Sequence, residues 1–395
     1  MAPVPARLLD LTRLVSRYGR GPLTGVDRVE AAYLSELLSR DTPLFGLVQT
    51  AAGFLLLDRA GMQGAADLAA GAPLGDTDLL SRLTNWRNPL RGRAEATVRR
   101  LAMGRATRPG LGRLIAAVPE GSSYLNTGHS NLSDPVLAQL HRRFRIAVLV
   151  HDTIPLDRAE FSRADTVAAF GNKITAISRH ADLVIHTAAA TRQRTEVHFA
   201  AAGRVPDGIV ASLGVRIPKP TQRPPGLVPR TPYFITLGTV EPRKNHALLL
   251  QVWKDLARTG PPPPLLVIGA RGWADPGLFD LLATTPGITL LSGLADGAVA
   301  ALLQGAAALL FPSMAEGFGL PPVEAAALGI PVVASDLPVL REVLGDYPIY
   351  LDPADSYSWL ETIKTLSLLD ARDHRKPALA PPSWEDHFNT VLTTL

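Results

Sequence analysis

A proline-rich run, IPKPTQRPPGLVPRTP, occupies residues 217–232 and holds six prolines. Each proline fixes φ and removes a backbone donor, so such a run is incompatible with a helix interior or a central strand. It predicts a linker between two independently folded parts, residues 1–216 and 233–380, followed by a last segment at 381–395. At 395 residues the chain is long enough for two cores of ordinary size.

Both parts alternate short apolar runs with helical patterns. The apolar runs are ARLLDLTRL, PLFGLVQT, GFLLLD, YLNTG, RIAVLVHD and DLVIHTA before the linker, and YFITLGT, PLLVIGA, ITLLSG, ALLFPS, PVVAS and IYLDP after it. This pattern predicts an α/β fold, with a mostly parallel sheet covered by helices in each part. Ligands bind at the carboxyl ends of such strands, so we expect the two parts to face one cleft. The last segment has apolar residues at helical spacing, and we expect it to pack back on the first part.

Residues 60–117 interrupt this alternation and predict an insertion of helices and loops. Nine arginines but only one acid, Glu95, lie between Arg82 and Arg113, and Leu83 and Trp86 are interspersed with them. Two interpretations remain open. The stretch is either a surface that rests on anionic lipid or a charged acceptor, or a helical face whose arginines are solvated or bind the domain's own acids. No nucleic-acid partner is expected.

Several functional classes are excluded by composition. The chain has no cysteine, which rules out disulfides, thiolate metal sites and cysteine nucleophiles. No run of about eighteen apolar residues predicts a membrane span. The N-terminal MAPVPARLLDLTRL carries charges where a secretory signal would be apolar. We therefore expect a cytoplasmic protein, with the inner face of the plasma membrane as the surface that the arginine stretch would contact.

The most specific motif is FPSMAEGFGLPPVEAAALGIPVVASD at residues 311–336. Glu316 lies in a glycine-rich turn after an apolar run, and Glu324 lies on the helix that follows. Carboxylates accept hydrogen bonds from sugar and ribose hydroxyls. The turn Gly317–Phe318–Gly319–Leu320 leaves backbone amides accessible beside a helix N-terminus, where hydroxyls or phosphates bind.

With this motif the sequence resembles the family-4 retaining glycosyltransferases, and the match extends from Tyr233 to Pro353. The resemblance implies the GT-B fold, in which two Rossmann-like domains face a central cleft. It also implies that Glu316 and the neighbouring amides contact the donor sugar, and that Glu324 holds the ribose of the nucleotide.

A second motif, GTVEPRKNHALLL at residues 238–250, places Arg243 and Lys244 between a strand and a helix. Two cations at a helix N-terminus suit a diphosphate, and the resemblance implies that they bind the leaving nucleoside diphosphate. Many family members have an arginine directly after the glycine, where this chain has Thr239 after Gly238. We therefore expect Arg243 to provide part of that phosphate contact. Because Lys244 and Glu316 are expected in loops and not in a core, their replacement is predicted to spare the fold.

The run RIAVLVHD ends in His151 and Asp152, so both side chains are expected at the cleft. The resemblance implies that His151 lies beside the transferred sugar. Asp152 either orients His151 or caps the turn.

The N-terminal loop SRYGRGPLTGVDRVE resembles the phosphate-facing loop of related bacterial polysaccharide transferases. Gly25 and Val26 are expected to bring backbone close to the diphosphate at the start of a helix, with Thr24 as its N-cap. Arg20 and Arg28 are candidates for binding phosphate or an anionic acceptor.

The triplet Asp76-Thr77-Asp78 has the pattern of a metal-binding D-x-D, but it lies in the insertion just before a helical pattern. Two carboxylates there predict a helix cap. Since Arg243 and Lys244 can neutralise phosphate charge, we expect no metal and no cofactor.

Together these features predict a retaining, metal-independent hexosyltransferase. Its donor is a nucleotide-diphosphate sugar, with GDP-mannose leading because the EPRKN and HDTIP strings resemble bacterial mannosyl- and deoxyhexosyltransferases. Its acceptor is a glycan or lipid-linked glycan of a bacterial surface polysaccharide. Two alternatives remain: a sugar-nucleotide epimerase or hydrolase of the same fold, and a non-catalytic scaffold of a polysaccharide assembly complex.

Overall fold

The structure, a computed structural model, describes residues 4–21, 23, 25–224, 227, 232–368 and 375–395. Thr24, predicted as a helix N-cap, lies outside these residues, as do 225–226 and 228–231 of the proline-rich run. The described residues 217–224 of that run contain neither helix nor strand.

Within the described residues, the first part of the chain forms an eight-stranded sheet. Its strands are β1 (Arg7–Asp10), β2 (Leu44–Thr50), β3 (Gly53–Leu57), β4 (Gly104–Ala106), β5 (Ser123–Asn126), β6 (Arg145–Val150), β7 (Leu183–His186) and β8 (Asp207–Val210). The order is β4-β3-β2-β1-β5-β6-β7-β8. Pairing is parallel except at β2–β3 and β3–β4. The link from β2 to β3 at residues 51–52 is too short for a parallel crossover, so this edge turns antiparallel.

Ten helices are described in the first part. They are α1 (Thr12–Arg17), α2 (Val26–Ser39), α3 (Arg59–Ala69), α4 (Leu79–Thr84), α5 (Pro89–Leu101), α6 (Leu111–Ile115), α7 (Asp134–His141), α8 (Ile154–Asp157), α9 (Ala164–His180) and α10 (Ala189–Ala201).

Two sequence expectations need correction here. The run ARLLDLTRL is not one strand, because the Asp10 carboxylate accepts from the Thr12 amide at 3.0 Å and α1 begins there. The insertion also contributes an edge strand, β4, which the sequence pattern does not predict.

The second part forms a six-stranded parallel sheet among the described residues. Its strands are β9 (Phe234–Leu237), β10 (Leu265–Ile268), β11 (Ile288–Leu291), β12 (Ala308–Phe311), β13 (Val332–Ser335) and β14 (Ile349–Leu351). Its helices are α11 (His246–Thr259), α12 (Pro276–Thr284), α13 (Asp296–Gly305), α14 (Leu320–Ala327), α15 (Pro338–Leu344) and α16 (Ser356–Ser367), and α17 (Trp384–Thr394) ends the chain. The order β11-β10-β9-β12-β13-β14 reverses direction between β9 and β12. Open α/β sheets bind ligands where the strand order reverses.

Helix α17 lies against the first part of the chain. Its Phe388 is buried edge-on against Tyr33 of α2, with 5.0 Å between ring centroids. The Tyr33 hydroxyl is 2.8 Å from Nε2 of His387, and Arg145 donates to the carbonyl of Leu395 at 3.1 Å. Through these contacts the last helix, which follows the second sheet in the sequence, packs against the first part of the chain. Among the described residues, no helix combines the length and the apolarity needed to cross a membrane.

Candidate active site

The loops that follow β9 and β12 meet at the point where the strand order reverses. After β9, Gly238 has a φ of 139°, a region that favours glycine, and the chain turns into a short 3-10 segment at Pro242–Lys244. Asn245, in the left-handed region with a φ of 53°, then starts α11. This geometry directs Arg243 and Lys244 toward the loop after β12, which carries Glu316.

Arg243, Lys244 and Glu316 form one ion-paired cluster. The Lys244 Nζ lies 2.6 Å from Glu316 Oε1, and the Arg243 Nη1 lies 3.1 Å from Glu316 Oε2. Arg243 also pairs through Nε with Glu241 at 2.7 Å. The ammonium of Lys244 lies 4.6 Å from the centroid of the Phe311 ring. Two cations are thus balanced by two carboxylates beside the sheet end.

Lys244 and Glu316 lie in the loops where the sequence predicts them, but both side chains are largely buried, so their replacement is expected to cost stability. Lys244 is 9% exposed, and the Glu316 side chain is 8% exposed. Burial by itself would raise the pKa of Glu316, but Lys244 and Arg243 outweigh it and hold that pKa below its usual value. Burial lowers the pKa of Lys244, and Glu316 partly offsets that. Glu316 is therefore ionised at neutral pH and able to accept hydrogen bonds from hydroxyls.

Gly317 joins this cluster to the first part of the chain. A Cβ placed on Gly317 would overlap the carbonyl oxygen of His151. Only glycine, which has no side chain, therefore allows the two backbones to approach this closely. The hydroxyls of Thr187 and Thr191 donate to the Gly317 carbonyl at 2.9 and 3.0 Å. The sequence-predicted loop and the end of β6 are therefore in direct contact.

His151 is buried and neutral in this contact. Its Nε2 donates to the carbonyl of Thr127 at 2.7 Å, which leaves Nδ1 as the acceptor nitrogen. Burial lowers the pKa of His151 to about 4. Asp152, next in sequence, accepts from the amide of Ile154 at 3.1 Å and so closes the turn that follows β6.

Glu324 meets the N-terminal loop of the first part. Its Oε1 lies 2.6 Å from Nη1 of Arg28 in the first turn of α2. Gly25, with a φ of 44°, and Val26 begin this helix, and among the described residues other than its chain neighbours none lies within 4 Å of a Cβ placed on Gly25. Burial raises the pKa of Glu324, and Arg28 opposes that shift.

A cavity of about 540 Å³ adjoins the Arg28–Glu324 pair. It lies between the two parts of the chain, and its lining includes Leu23, Arg28, Arg216, Asp296 and Leu320. Such a volume falls within the range of small-molecule sites. The cavity and the ion-paired cluster lie at opposite ends of the turn that carries Gly317 and the start of α14.

Three of the predicted site residues do not belong to the ion-paired cluster. The Phe318 side chain is 5% exposed and belongs to the core, so only its backbone faces the turn. Thr239 is exposed, with its methyl close to Gly272. Arg20 is exposed in the N-terminal loop.

Asp78 of the D-x-D triplet caps α4, as predicted, by accepting from the Ser81 amide at 2.7 Å. It also pairs with Arg99. In the described ranges no three histidine or acidic side chains are grouped as metal ligands would be.

Four contacting residues were not identified from the sequence: Thr187, Thr191, Glu241 and Glu342. Glu342 of α15 accepts from the amides of Ala189 and Ala190 at 2.6 and 2.9 Å, across the two parts of the chain. Thr187 and Thr191 follow β7, so the rule that sites gather at the carboxyl ends of parallel strands points to them. Glu241 lies inside the EPRKN string. Nothing in the local sequence distinguishes Glu342 from other surface acids.

A family model described as "Glycosyl transferases group 1" matches residues 219–376. The serotype-specific mannosyltransferase WbdA of Escherichia coli is 30% identical over 272 residues, which cover 62% of this chain and 33% of WbdA. O-antigen chain mannosyltransferase B of Escherichia coli is 41% identical over 127 residues, 31% of this chain and 33% of that protein. The chain thus spans about a third of the length of these curated relatives.

Solved structures show the same fold. Anabaena Alr3699/HepE, in complex with UDP and glucose, has a TM-score of 0.59 at 14% identity, covering 98% of this chain and 94% of that one. Sucrose-phosphate synthase from Thermosynechococcus elongatus has a TM-score of 0.55 at 17% identity, covering 72% and 76%. The GT-B fold and the resemblance to bacterial polysaccharide glycosyltransferases are thereby confirmed, while membership of family 4 stays a prediction.

Proposed function

We propose that the protein is a retaining glycosyltransferase that moves a hexose from a nucleotide-diphosphate sugar to a glycan or lipid-linked acceptor of a bacterial surface polysaccharide. The observation that carries the proposal is the buried cluster of Arg243, Lys244 and Glu316 at the reversal point of the second sheet. This cluster lies inside the domain that matches the group 1 glycosyltransferases.

The charge balance of the cluster suits a diphosphate. Without ligand, Arg243 and Lys244 are neutralised by Glu316 and Glu241. A diphosphate entering beside them meets two cations that are already in place and can pair with both. The preformed cations then stabilise the negative charge that grows on the departing phosphate. Each carboxylate oxygen of Glu316 has a further lone pair beside its cation, so Glu316 can accept from hydroxyls of the donor sugar while it stays paired.

The nucleoside is assigned to the Arg28 side of the turn. A ribose hydroxyl needs a strong acceptor, and the Glu324 carboxylate pairs with Arg28, which lines a cavity of about 540 Å³. The backbone at Gly25 is open on its Cβ side, which suits close approach of a phosphate to the start of α2.

Retention needs no nucleophile from the protein. Glu316 is held by two cations, and Asp152 is engaged by the turn, so neither is a free carboxylate. In a front-face displacement the bond from the anomeric carbon to the phosphate oxygen breaks while the bond to the acceptor oxygen forms on the same face. The acceptor proton passes to the leaving phosphate. Neutral His151 borders this face without taking the proton.

GDP-mannose is the leading donor, because the relatives WbdA and O-antigen chain mannosyltransferase B are named as mannosyltransferases. A melting-temperature screen with GDP, UDP, ADP and dTDP tests this. GDP should raise the melting temperature most, and the rise should vanish in Lys244→Met but persist in Lys254→Met, an exposed lysine on the adjacent helix.

Product analysis completes the test. An anomeric configuration unchanged from donor to product, with nucleotide release that increases with acceptor, supports the transferase. Release that is indifferent to acceptor would indicate the epimerase or hydrolase instead. No response to any nucleotide at millimolar concentration would favour the scaffold.

A further inference from the structure

Helix α4 and the turn after it have an inverted polarity. The polar residues Ser81 and Asn85 face inward and are 1% and 9% exposed. The apolar residues Leu79, Leu83 and Trp86 face outward and are 78%, 77% and 68% exposed. Single exposed hydrophobic residues are common on protein surfaces, but a short helix with its apolar residues turned outward as a group is not.

The inward polar contacts fix this orientation. The backbone of Ser81 is held by the Asp78 cap, and Nδ2 of Asn85 donates to the buried carboxylate of Glu95 at 2.9 Å. Turning Leu83 inward would bury its apolar side chain but would break these hydrogen bonds and leave Glu95 with fewer partners. The outward apolar face is therefore part of the stable fold and not an incidental orientation.

Six of the nine arginines in the stretch lie on or beside α4 and α5 and divide into two groups, and Arg105, Arg108 and Arg113 follow these helices. Four of its arginines are used inside the insertion: Arg91 with Glu95, Arg93 with the carbonyl of Leu74, Arg99 with Asp78, and Arg100 with the carbonyl of Asp76. For these four, the interpretation that arginines bind the domain's own groups holds.

Arg82 and Arg87 form the other group and lie exposed among the apolar residues of α4. The Arg87 guanidinium lies over the Trp86 ring, 4.7 Å from its centroid. Residues 79–94 contain four arginines and no acid. The face formed by Leu79, Arg82, Leu83, Trp86 and Arg87, the α4 surface, is thus apolar and purely positive.

We propose that the α4 surface rests on an anionic lipid bilayer. Leucine and tryptophan enter the boundary between headgroups and acyl chains, and the flanking arginines bind the lipid phosphates. A protein partner would more commonly present both signs of charge and polar groups at the rim. A one-sign, apolar and aromatic face complements a negatively charged membrane.

The position of the surface fits a membrane-borne substrate. A Cβ on Gly19 of the N-terminal loop would lie 2.9 Å from the Leu90 side chain, so the insertion packs directly against that loop. The same loop leads to Gly25 and to Arg28, which contacts Glu324. Docking at the α4 surface would therefore hold the bilayer against the first part of the chain, close to the N-terminal loop that borders the cleft.

Flotation of the full chain with vesicles tests the proposal. Vesicles of equal phosphatidylglycerol and phosphatidylcholine should retain the protein about tenfold or more better at low salt than pure phosphatidylcholine, and high salt should weaken retention. Leu83→Ser/Trp86→Ser should abolish binding, and Arg82→Gln/Arg87→Gln should remove the preference for anionic lipid. Matched controls are Lys254→Gln/Arg258→Gln, which removes two exposed charges from α11, and Tyr357→Ser, which removes a side chain that is 69% exposed. Both should bind like wild type.

Trp86 provides a direct optical readout. Trp253 and Trp359 are fully buried, whereas Trp86 is exposed, so lipid contact should shift the emission to the blue in wild type and not in Trp86→Phe. Equal retention of wild type and the Leu83→Ser/Trp86→Ser variant would overturn the proposal. Loss of a dimer in that variant, with no vesicle binding by wild type, would also overturn it by assigning the surface to a second copy. The nucleotide-dependent melting shift should be the same in every variant, so failure here is separable from failure of the proposed function.

Discussion

Replacing Glu316 by glutamine should remove the only carboxylate that contacts Lys244 among the described residues. Arg243 would keep Glu241 at 2.7 Å, but Lys244 would keep only the Phe311 ring. Removing one partner of a buried ion pair costs about 3–5 kcal/mol. The cation–π contact between Lys244 and Phe311 is present before and after the change, so it does not reduce this loss of about 3–5 kcal/mol.

The converse change, Lys244→Met, should cost less, because Glu316 retains Arg243 at 3.1 Å. The double variant removes both charges together. Its loss of unfolding free energy should therefore be smaller than the sum of the two single losses by more than about 1 kcal/mol. The effects of these two substitutions on stability and on ligand binding should not run in parallel. Glu316→Gln removes the anion that Arg243 and Lys244 share and should bind free nucleoside diphosphate at least as tightly as wild type, whereas Lys244→Met should bind it more weakly.

The measurements are melting temperature, with and without nucleoside diphosphate, and initial transfer rate. For domains of this size the melting temperature falls by about 2–4 °C for each kcal/mol lost, so Glu316→Gln should melt roughly 6–20 °C lower. Arg258→Met removes a cation from an exposed pair with Asp255 on α11 and should scarcely change melting. A Glu316→Gln protein that melts at the same temperature as wild type would refute the structural role of the cluster. One that transfers sugar at a near-normal rate would refute its functional role.

Three further outcomes are expected. Gly317→Ala should lower kcat/KM at least tenfold, because the added methyl overlaps the His151 carbonyl, while Gly171→Ala in an open helix position should leave both rate and melting unchanged. Burial lowers the pKa of His246 to about 4, so the stability that depends on its neutral ring is complete above pH 6.5 and is lost as pH falls toward 4. Urea titrations should show that the free energy of unfolding of His246→Asn falls by about 2 kcal/mol less than that of wild type between pH 7 and pH 5. EDTA should leave transfer unaffected; inhibition reversed by Mg²⁺ or Mn²⁺ would show that Asp76–Asp78 binds a metal after all.

Much of the fold and part of the site follow from local sequence. Strands β2, β3 and β6 were identified from their apolar runs, because a strand covered on both faces must be apolar along its length. The turn at Gly317 and the cations at Arg243 and Lys244 are predicted because they lie between a strand and a helix N-terminus, where hydroxyls and phosphates bind, and because the surrounding motifs resemble those of the family-4 glycosyltransferases.

Only the tertiary structure decided which side chains are buried, which groups they pair with and in which direction they point. Sequence placed Lys244 and Glu316 in loops, but these loops end neighbouring strands, so their charges are enclosed and paired. Sequence showed an arginine-rich insertion, but not which arginines would meet Glu95 and Asp78 and which would be left exposed. Pairing and exposure depend on which distant segments come together. Local pattern determines the elements, while the packing of those elements determines which charges are neutralised and which apolar side chains remain at the surface.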